Sequence, residues 1–156
     1  MVNPDNQDLL QEIEGIARST GRSLEVALAR NLDDLEPAFT QLVSAHVGAV
    51  LVSNDAFFLT QRVQLVALAK RHSLPATYEF RDFPAVGGLM SYGPNLAGAF
   101  QKVGTYVARI LKGAQPGDLP IEQPTEFNLV INSATARSLG IKIPPTLIAR
   151  ADEVIE

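Results

Sequence analysis

Apolar and polar positions along the chain repeat first at a helical and then at a strand period. From Asp5 to Thr20, Leu9, Leu10, Ile13, Ile16 and Ala17 recur at helical spacing, and Gly21 follows where a left-handed C-cap belongs. Ser23–Ala29 alternates, with Leu24, Val26 and Leu28 set against Ser23, Glu25 and Ala27, which predicts a strand near a sheet edge with the leucines on the core. Asp33 and Asp34 supply N-cap chemistry for a helix over Leu35–Ala45, built on Leu35, Phe39, Leu42 and Val43. Gly48–Ser53 is continuously apolar rather than alternating, the mark of a central parallel strand covered on both faces.

Ser53-Asn54-Asp55 ends that strand and caps a helix running through Phe58 and Val63 to Lys70-Arg71-His72. Pro75–Phe80 reads as a strand, Phe83–Val86 as a helical turn closed by Gly87-Gly88, and Leu89–Ser91 as another strand. Asn95–Leu111 is a long amphipathic helix on Leu96, Phe100, Val103, Tyr106, Val107 and Ile110, stopped at Lys112-Gly113. Ala114–Pro124 is too rich in Pro and Gly for a regular element and reads as a tether. Phe127–Asn132 resumes as a strand, Ser133–Leu139 as a short helix ended by Gly140, and Leu147–Val154 as a last helical piece.

Strands alternating with helices predict an α/β fold of three layers, a mostly parallel sheet with helices on both faces. In such sheets ligands bind beyond the carboxyl ends of the strands. The candidate binding residues are therefore Ser53, Asn54 and Asp55 at one exit, Glu79 and Arg81 at the next, and Ser91 and Tyr92 at a third. Asp55 or Glu79 suits a cationic group, Ser53, Asn54 and Ser91 an anionic one, and Tyr92 an aromatic platform. Each also has a plainer reading: helix capping for Ser53-Asn54-Asp55, a surface ion pair for Glu79 and Arg81, a core aromatic for Tyr92.

Composition narrows the function. The 156 residues, 46% apolar and 19% charged, suit one globular domain, and no apolar run approaches the ~20 residues of a membrane span. A net charge of −4, with Lys and Arg scattered, argues against nucleic acid. Without cysteine and with only His46 and His72, neither a disulfide framework nor a thiolate or histidine metal site is expected, and no cofactor is implied. The pattern holds no G-x-S-x-G or G-x-G-x-x-G, and Gly93–Gly98 lacks the following Lys and Ser or Thr of a phosphate loop, so the chain is not expected to be an enzyme. Met1–Asp8 carries acids and amides where an export signal would be basic and then apolar.

Several ordered motifs carry a resemblance: Gly87-Gly88-Leu89-Met90-Ser91-Tyr92-Gly93, Ile110-Leu111-Lys112-Gly113 with Asp118–Pro124, Phe127–Asn132, and Ile143-Pro144-Pro145 with Ala149-Arg150-Ala151-Asp152. Through them the chain resembles the ABC-type substrate-binding proteins of the tryptophan/tyrosine-like uptake group. That resemblance implies one lobe of a type I periplasmic-binding-protein-like fold, with residues 1–156 corresponding to the C-terminal lobe of a two-lobed protein. It further implies a small solute such as an aromatic amino acid, a membrane permease as partner, and an extracytoplasmic location for the full family. The first lobe, its export signal and the strand that would open the second lobe before Asp5 are expected to be missing. The surface so left, around Phe127–Asn132 and the tether, is expected to be apolar and able to drive homodimerisation. The alternative expectation is a cytoplasmic ligand-sensing or dimerisation domain descended from such a protein.

Overall fold

Side-chain oxygens fix where the helices begin. The computed structural model describes residues 1–3, 7–123 and 126–156, so the helix start at Asp5 and the tether end at Pro124 lie outside the described residues. Helix α1 spans Gln7–Ser19 and stops at Gly21, whose φ of 66° is the left-handed turn expected there. Helix α2, Leu32–Ser44, starts earlier than Asp33 and Asp34 suggested. Its cap is Asn31, whose side-chain oxygen accepts from the Asp33 and Asp34 amides at 2.9 and 3.3 Å, while Asp34 reaches back to the Asn31 amide at 3.2 Å.

The segment expected as one helix to His72 is two, α3 at Ala56–Thr60 and α4 at Arg62–Arg71, broken at Gln61. Short α5, Asp82–Ala85, and long α6, Leu96–Leu111, follow. The tether contains one tight turn, Pro116–Asp118. Helices α7, Ser133–Ser138, and α8, Pro145–Ile148, complete the set.

Five strands form one sheet in chain order: β1 Val50–Leu51, β2 Ala76–Tyr78, β3 Met90–Pro94, β4 Phe127–Asn132 and β5 Glu153–Ile155. The fold is α/β with a mostly parallel sheet; only β3 and β4 run antiparallel, from Met90↔Ile131 to Pro94↔Phe127. The expected helix over Leu147–Val154 therefore ends early, and Glu153–Ile155 pairs with β4 instead. The Asp152 carboxylate accepts from the Leu129 amide at 2.7 Å and the Asp152 amide donates to the Leu129 carbonyl at 2.9 Å, which starts that pairing.

Two further expectations are corrected at the other edge. Met1 and Val2, both 5% exposed, take the position of the strand expected to be missing. The Met1 amine donates to the Leu51 carbonyl at 2.6 Å and the Ser53 amide to the Met1 carbonyl at 3.0 Å, while Val2 exchanges bonds with Ala27 and Ala29. Ser23–Ala29 contributes only a single bridge, Leu28 to Val2, and shows the core its alanines rather than its leucines. Ala27 and Ala29 are buried in one cluster with Leu35, Ala38 and Phe39 of α2, where methyl groups fit, and Leu24 and Leu28 are left about half exposed.

The core lies between β1–β2 and helices α2 to α5. Phe39, Phe58, Leu35 and Leu65 are fully buried there, each worth about 1.5–3 kcal/mol of transfer free energy. Helix α6 is the exception. None of its residues is buried, and Phe100, Val103, Val107 and Ile110 form an exposed apolar stripe.

Candidate functional site

The exits of β2 and β3 open into a recess of about 340 Å³. Its floor is one face of the sheet: Ser91 lies beside Val130, Val130 beside Glu153, and Gly93 beside Asn128. Its walls are the Glu79–Asp82 turn that leads into α5 and the residues Asn95–Ala97 at the start of α6. Asn95 caps that helix, its side-chain oxygen accepting from the Gly98 amide at 3.0 Å.

Gly93 lets the two exits come this close. A Cβ at Gly93 would stand 2.3 Å from the Glu79 carbonyl oxygen and 2.6 Å from Glu79 Cγ. Beneath them, Tyr78 stacks on Phe83 with ring centroids 4.2 Å apart, and burial pushes its hydroxyl pKa far up, so the ring stays neutral.

Four carboxylates, from Glu79, Asp82, Asp152 and Glu153, line the recess against one guanidinium, that of Arg81. Arg81 pairs with one of them through two nitrogens, its Nε and Nη2 each donating to Glu153 at 2.6 Å. Glu79, half-buried, has no partner among the described residues, and burial raises its pKa above the ordinary carboxylate value. The Ser91 hydroxyl is 1% exposed and has no hydrogen-bond partner either.

Of the residues singled out from sequence, the fold brings Glu79, Arg81 and Ser91 together. Arg81 pairs with Glu153 rather than with Glu79. The trio at the first exit sits apart. Asp55 caps α3 by accepting from the Phe57 amide at 2.7 Å and also takes the Asn3 side chain at 2.9 Å, so its oxygens serve structure. Asn54 is exposed, and Ser53 is buried with an unpartnered hydroxyl of its own. Tyr92 points to the opposite face from Ser91 and Gly93, where it is 61% exposed and stacks on Phe127 at 5.7 Å.

Asn95, Asn128, Asp152 and Glu153 were not foreseen as site residues. Asp152 and Glu153 had been placed inside a helix, which hid that they reach the recess from a neighbouring strand. His72, expected at a helix C-terminus, caps α4, lies 3.2 Å from a Glu36 carboxylate oxygen and stacks on Phe39. Among the described residues no His, Cys, Asp or Glu group is arranged to hold a metal ion, and no helix is long and apolar enough to cross a membrane.

Residues 3–155 match the family described as ABC transporter substrate binding protein. The chain belongs to that family. It is a non-enzymatic family. No curated protein matches the sequence.

Solved structures share the fold. A conserved domain protein from Vibrio cholerae O1 biovar El Tor is 26% identical with a TM-score of 0.85, over 97% of this chain and 52% of its own. An ABC domain from Streptococcus pneumoniae, solved in complex with L-Trp, is 24% identical with a TM-score of 0.83, over 96% of this chain and 50% of its own. CD0873 from Clostridium difficile, a substrate-binding protein with adhesive properties in a ligand-free open structure, is 15% identical with a TM-score of 0.70, over 99% and 52%. This chain thus spans about half the length of each.

Proposed function

We propose that this chain is the C-terminal lobe, and the solute-holding half, of an ABC importer's substrate-binding component, acting outside the cytoplasm and delivering its solute to a membrane permease. One observation carries the reading: in a chain of this family, the recess lies at the β2 and β3 exits, with two groups, Glu79 and Ser91, that lack partners among the described residues. Arg81 shapes the recess by holding Glu153 in place. The solute is a small amino acid of the aromatic class, a reading supported by the motifs around Ser91–Gly93 and by the L-Trp complex of the pneumococcal relative. Ser53, Asn54 and Tyr92 do not line the recess, and this reading gives them no contact with the solute. Capture is binding without chemistry, and closure follows only if the solute contacts both surfaces.

The same reading gives the α6 stripe an occupant in this chain alone, a second copy of itself. Phe100, Val103, Val107 and Ile110 form a contiguous exposed apolar stripe, the kind of patch that marks an interaction surface.

A thermal-shift screen of the chain against the common amino acids and small organic acids tests the solute assignment. A ligand at ~100 times its Kd adds about 2.7 kcal/mol of stability, several degrees of melting temperature in a chain of this size. Silence across the amino acids at millimolar concentration would refute the capture role for this chain.

A further inference from the structure

The recess has a sign. An anion entering it would meet four carboxylates and one guanidinium already bound through two nitrogens to Glu153. A metal ion finds no suitable cluster among the described residues. What the recess lacks is a compact cationic hydrogen-bond donor.

We propose that this recess is a receptor for the ammonium group of the solute, with Glu79 as counter-ion and Ser91 and Asn128 as hydrogen-bond acceptors. The proposal rests on the capture reading above and adds which end of the solute this lobe holds. Three independent features meet in it. Glu79 is drawn out of water by Gly93, against which its Cγ packs, and has no cation beside it in return. A half-buried carboxylate in that state is stabilised by an incoming positive charge.

Ser91 is the second feature. A hydroxyl 1% exposed and unpartnered costs about 1–3 kcal/mol, and it lines the recess. Asn128 is the third: it stands beside Gly93 in the register, lines the same recess, and its side chain makes no hydrogen bond to the described residues. Three acceptors of this kind match the three N–H bonds of a primary ammonium, and a solute offering only a carboxylate would leave them unsatisfied. Asp152 and Asn95, by contrast, are occupied with the Leu129 and Gly98 amides and shape the wall without offering a free acceptor on those oxygens.

Amide-resolved NMR of the full chain tests this with three indole compounds: L-tryptophan, tryptamine, which keeps the amine and lacks the carboxylate, and indole-3-propionate, which keeps the carboxylate and lacks the amine. We expect tryptophan and tryptamine to shift the Ser91, Gly93 and Asn128 amides while indole-3-propionate leaves them still. Glu79→Gln should raise the apparent Kd for tryptamine by about ten-fold or more, the loss of one charge-assisted contact. Ser91→Ala should weaken it less. Glu79→Gln removes a buried charge, so it should melt no lower than the parent, and lost binding is then not lost folding. Equal shifts from indole-3-propionate, or an unchanged tryptamine titration in Glu79→Gln, would overturn the ammonium assignment and leave solute capture standing. No shift at these amides from any of the three would overturn it also, while a positive thermal-shift screen would keep the capture reading alive at another place.

Discussion

Gly93→Ala is the sharpest test of how the two strand exits are packed. The φ of Gly93 lies outside the left-handed region, so alanine is acceptable to the backbone and the only obstacle is space. The new Cβ would stand 2.3 Å from the Glu79 carbonyl oxygen, 2.6 Å from Glu79 Cγ and 3.0 Å from the Glu79 carbonyl carbon. Two of those atoms, the carbonyl carbon and oxygen, are backbone, which no side-chain rotation moves. The end of β2 must move. Overpacking of this kind costs about 1–3 kcal/mol, and replacing glycine in a strand returns ~0.5–1 kcal/mol of unfolded-state entropy. A 2.3 Å approach to backbone belongs at the upper end of that cost, so the net loss is about 2–2.5 kcal/mol, or roughly 4–10 °C in a chain of this size. Thermal melts by circular dichroism read it directly. Gly104→Ala is the control: it lies within α6 with nothing within 4 Å of its Cβ, and it should leave the melting temperature unchanged or raise it. If Gly93→Ala melted with the parent, the exit would be yielding freely and the account of Glu79 as held in place by Gly93 would be wrong.

Burial raises the pKa of Glu79 in the folded chain, so the folded state binds that proton more tightly than the unfolded one and stability falls as pH rises through the interval between the two values. Glu79→Gln should therefore stabilise the chain most at neutral pH and above, with the difference in melting temperature vanishing once pH drops below the ordinary carboxylate value of about 4.3; a constant difference across pH would contradict this. Asn132 donates to the Pro84 carbonyl at 3.0 Å and caps α7 by accepting from the Thr135 amide at 2.9 Å, so Asn132→Ala should cost about 2 kcal/mol in a denaturant titration, and Asn132→Asp, which keeps the cap but buries a carboxylate oxygen against the Pro84 carbonyl, should cost at least as much. Sedimentation of the chain over a range of concentrations should show a dimer that Val103→Glu returns to monomer; a parent that stays monomeric throughout would rule out the second copy as the cover of the α6 stripe.

Much of the architecture was legible because its causes are local. Gly21 and Gly113 stop their helices at φ of 66° and 101°, a conformation that glycine adopts without strain. The amphipathic period of α6 placed that helix correctly, whereas the run expected as a central strand covered on both faces is β1, which ends the five-strand order and leaves Leu51 half exposed. The misses share a different origin. At Ser23–Ala29 the pattern gave weight to the larger side chains, yet the positions beneath α2 admit only Ala27 and Ala29. At the C-terminus, Val154 and Ile155 suit a helix or a strand equally well, and only pairing with β4, more than twenty residues earlier, decides between them. The site divides in the same way. That binding residues would gather at the strand exits followed from the β-α alternation, and Glu79, Arg81 and Ser91 do meet there. That Arg81 would choose Glu153, 72 residues away, over its neighbour Glu79 depended on the position of β5, which the local pattern had read as helix.

The antiparallel pairing of β3 with β4 ties the α6 stripe to the recess. Because Pro94 lies opposite Phe127 and the Asn95 amide donates to the Glu126 carbonyl at 3.0 Å, the chain leaves the sheet and returns to it at the same end. That end is where β2 and β3 deliver Glu79 and Ser91. Helix α6 therefore rises from the rim of the recess, with Asn95, Leu96 and Ala97 already forming part of its wall. The Tyr106 hydroxyl bonds to the Pro120 carbonyl at 2.6 Å and Lys102 pairs with Glu122 at 3.1 Å, which fastens the helix to the segment that follows it. A body that covers the apolar stripe must then come to rest beside the mouth of the recess. Under the proposed function, covering the stripe and enclosing the solute are coupled by the connection itself, and a solute that touched both surfaces would tighten the association by the same factor as the association tightened the solute.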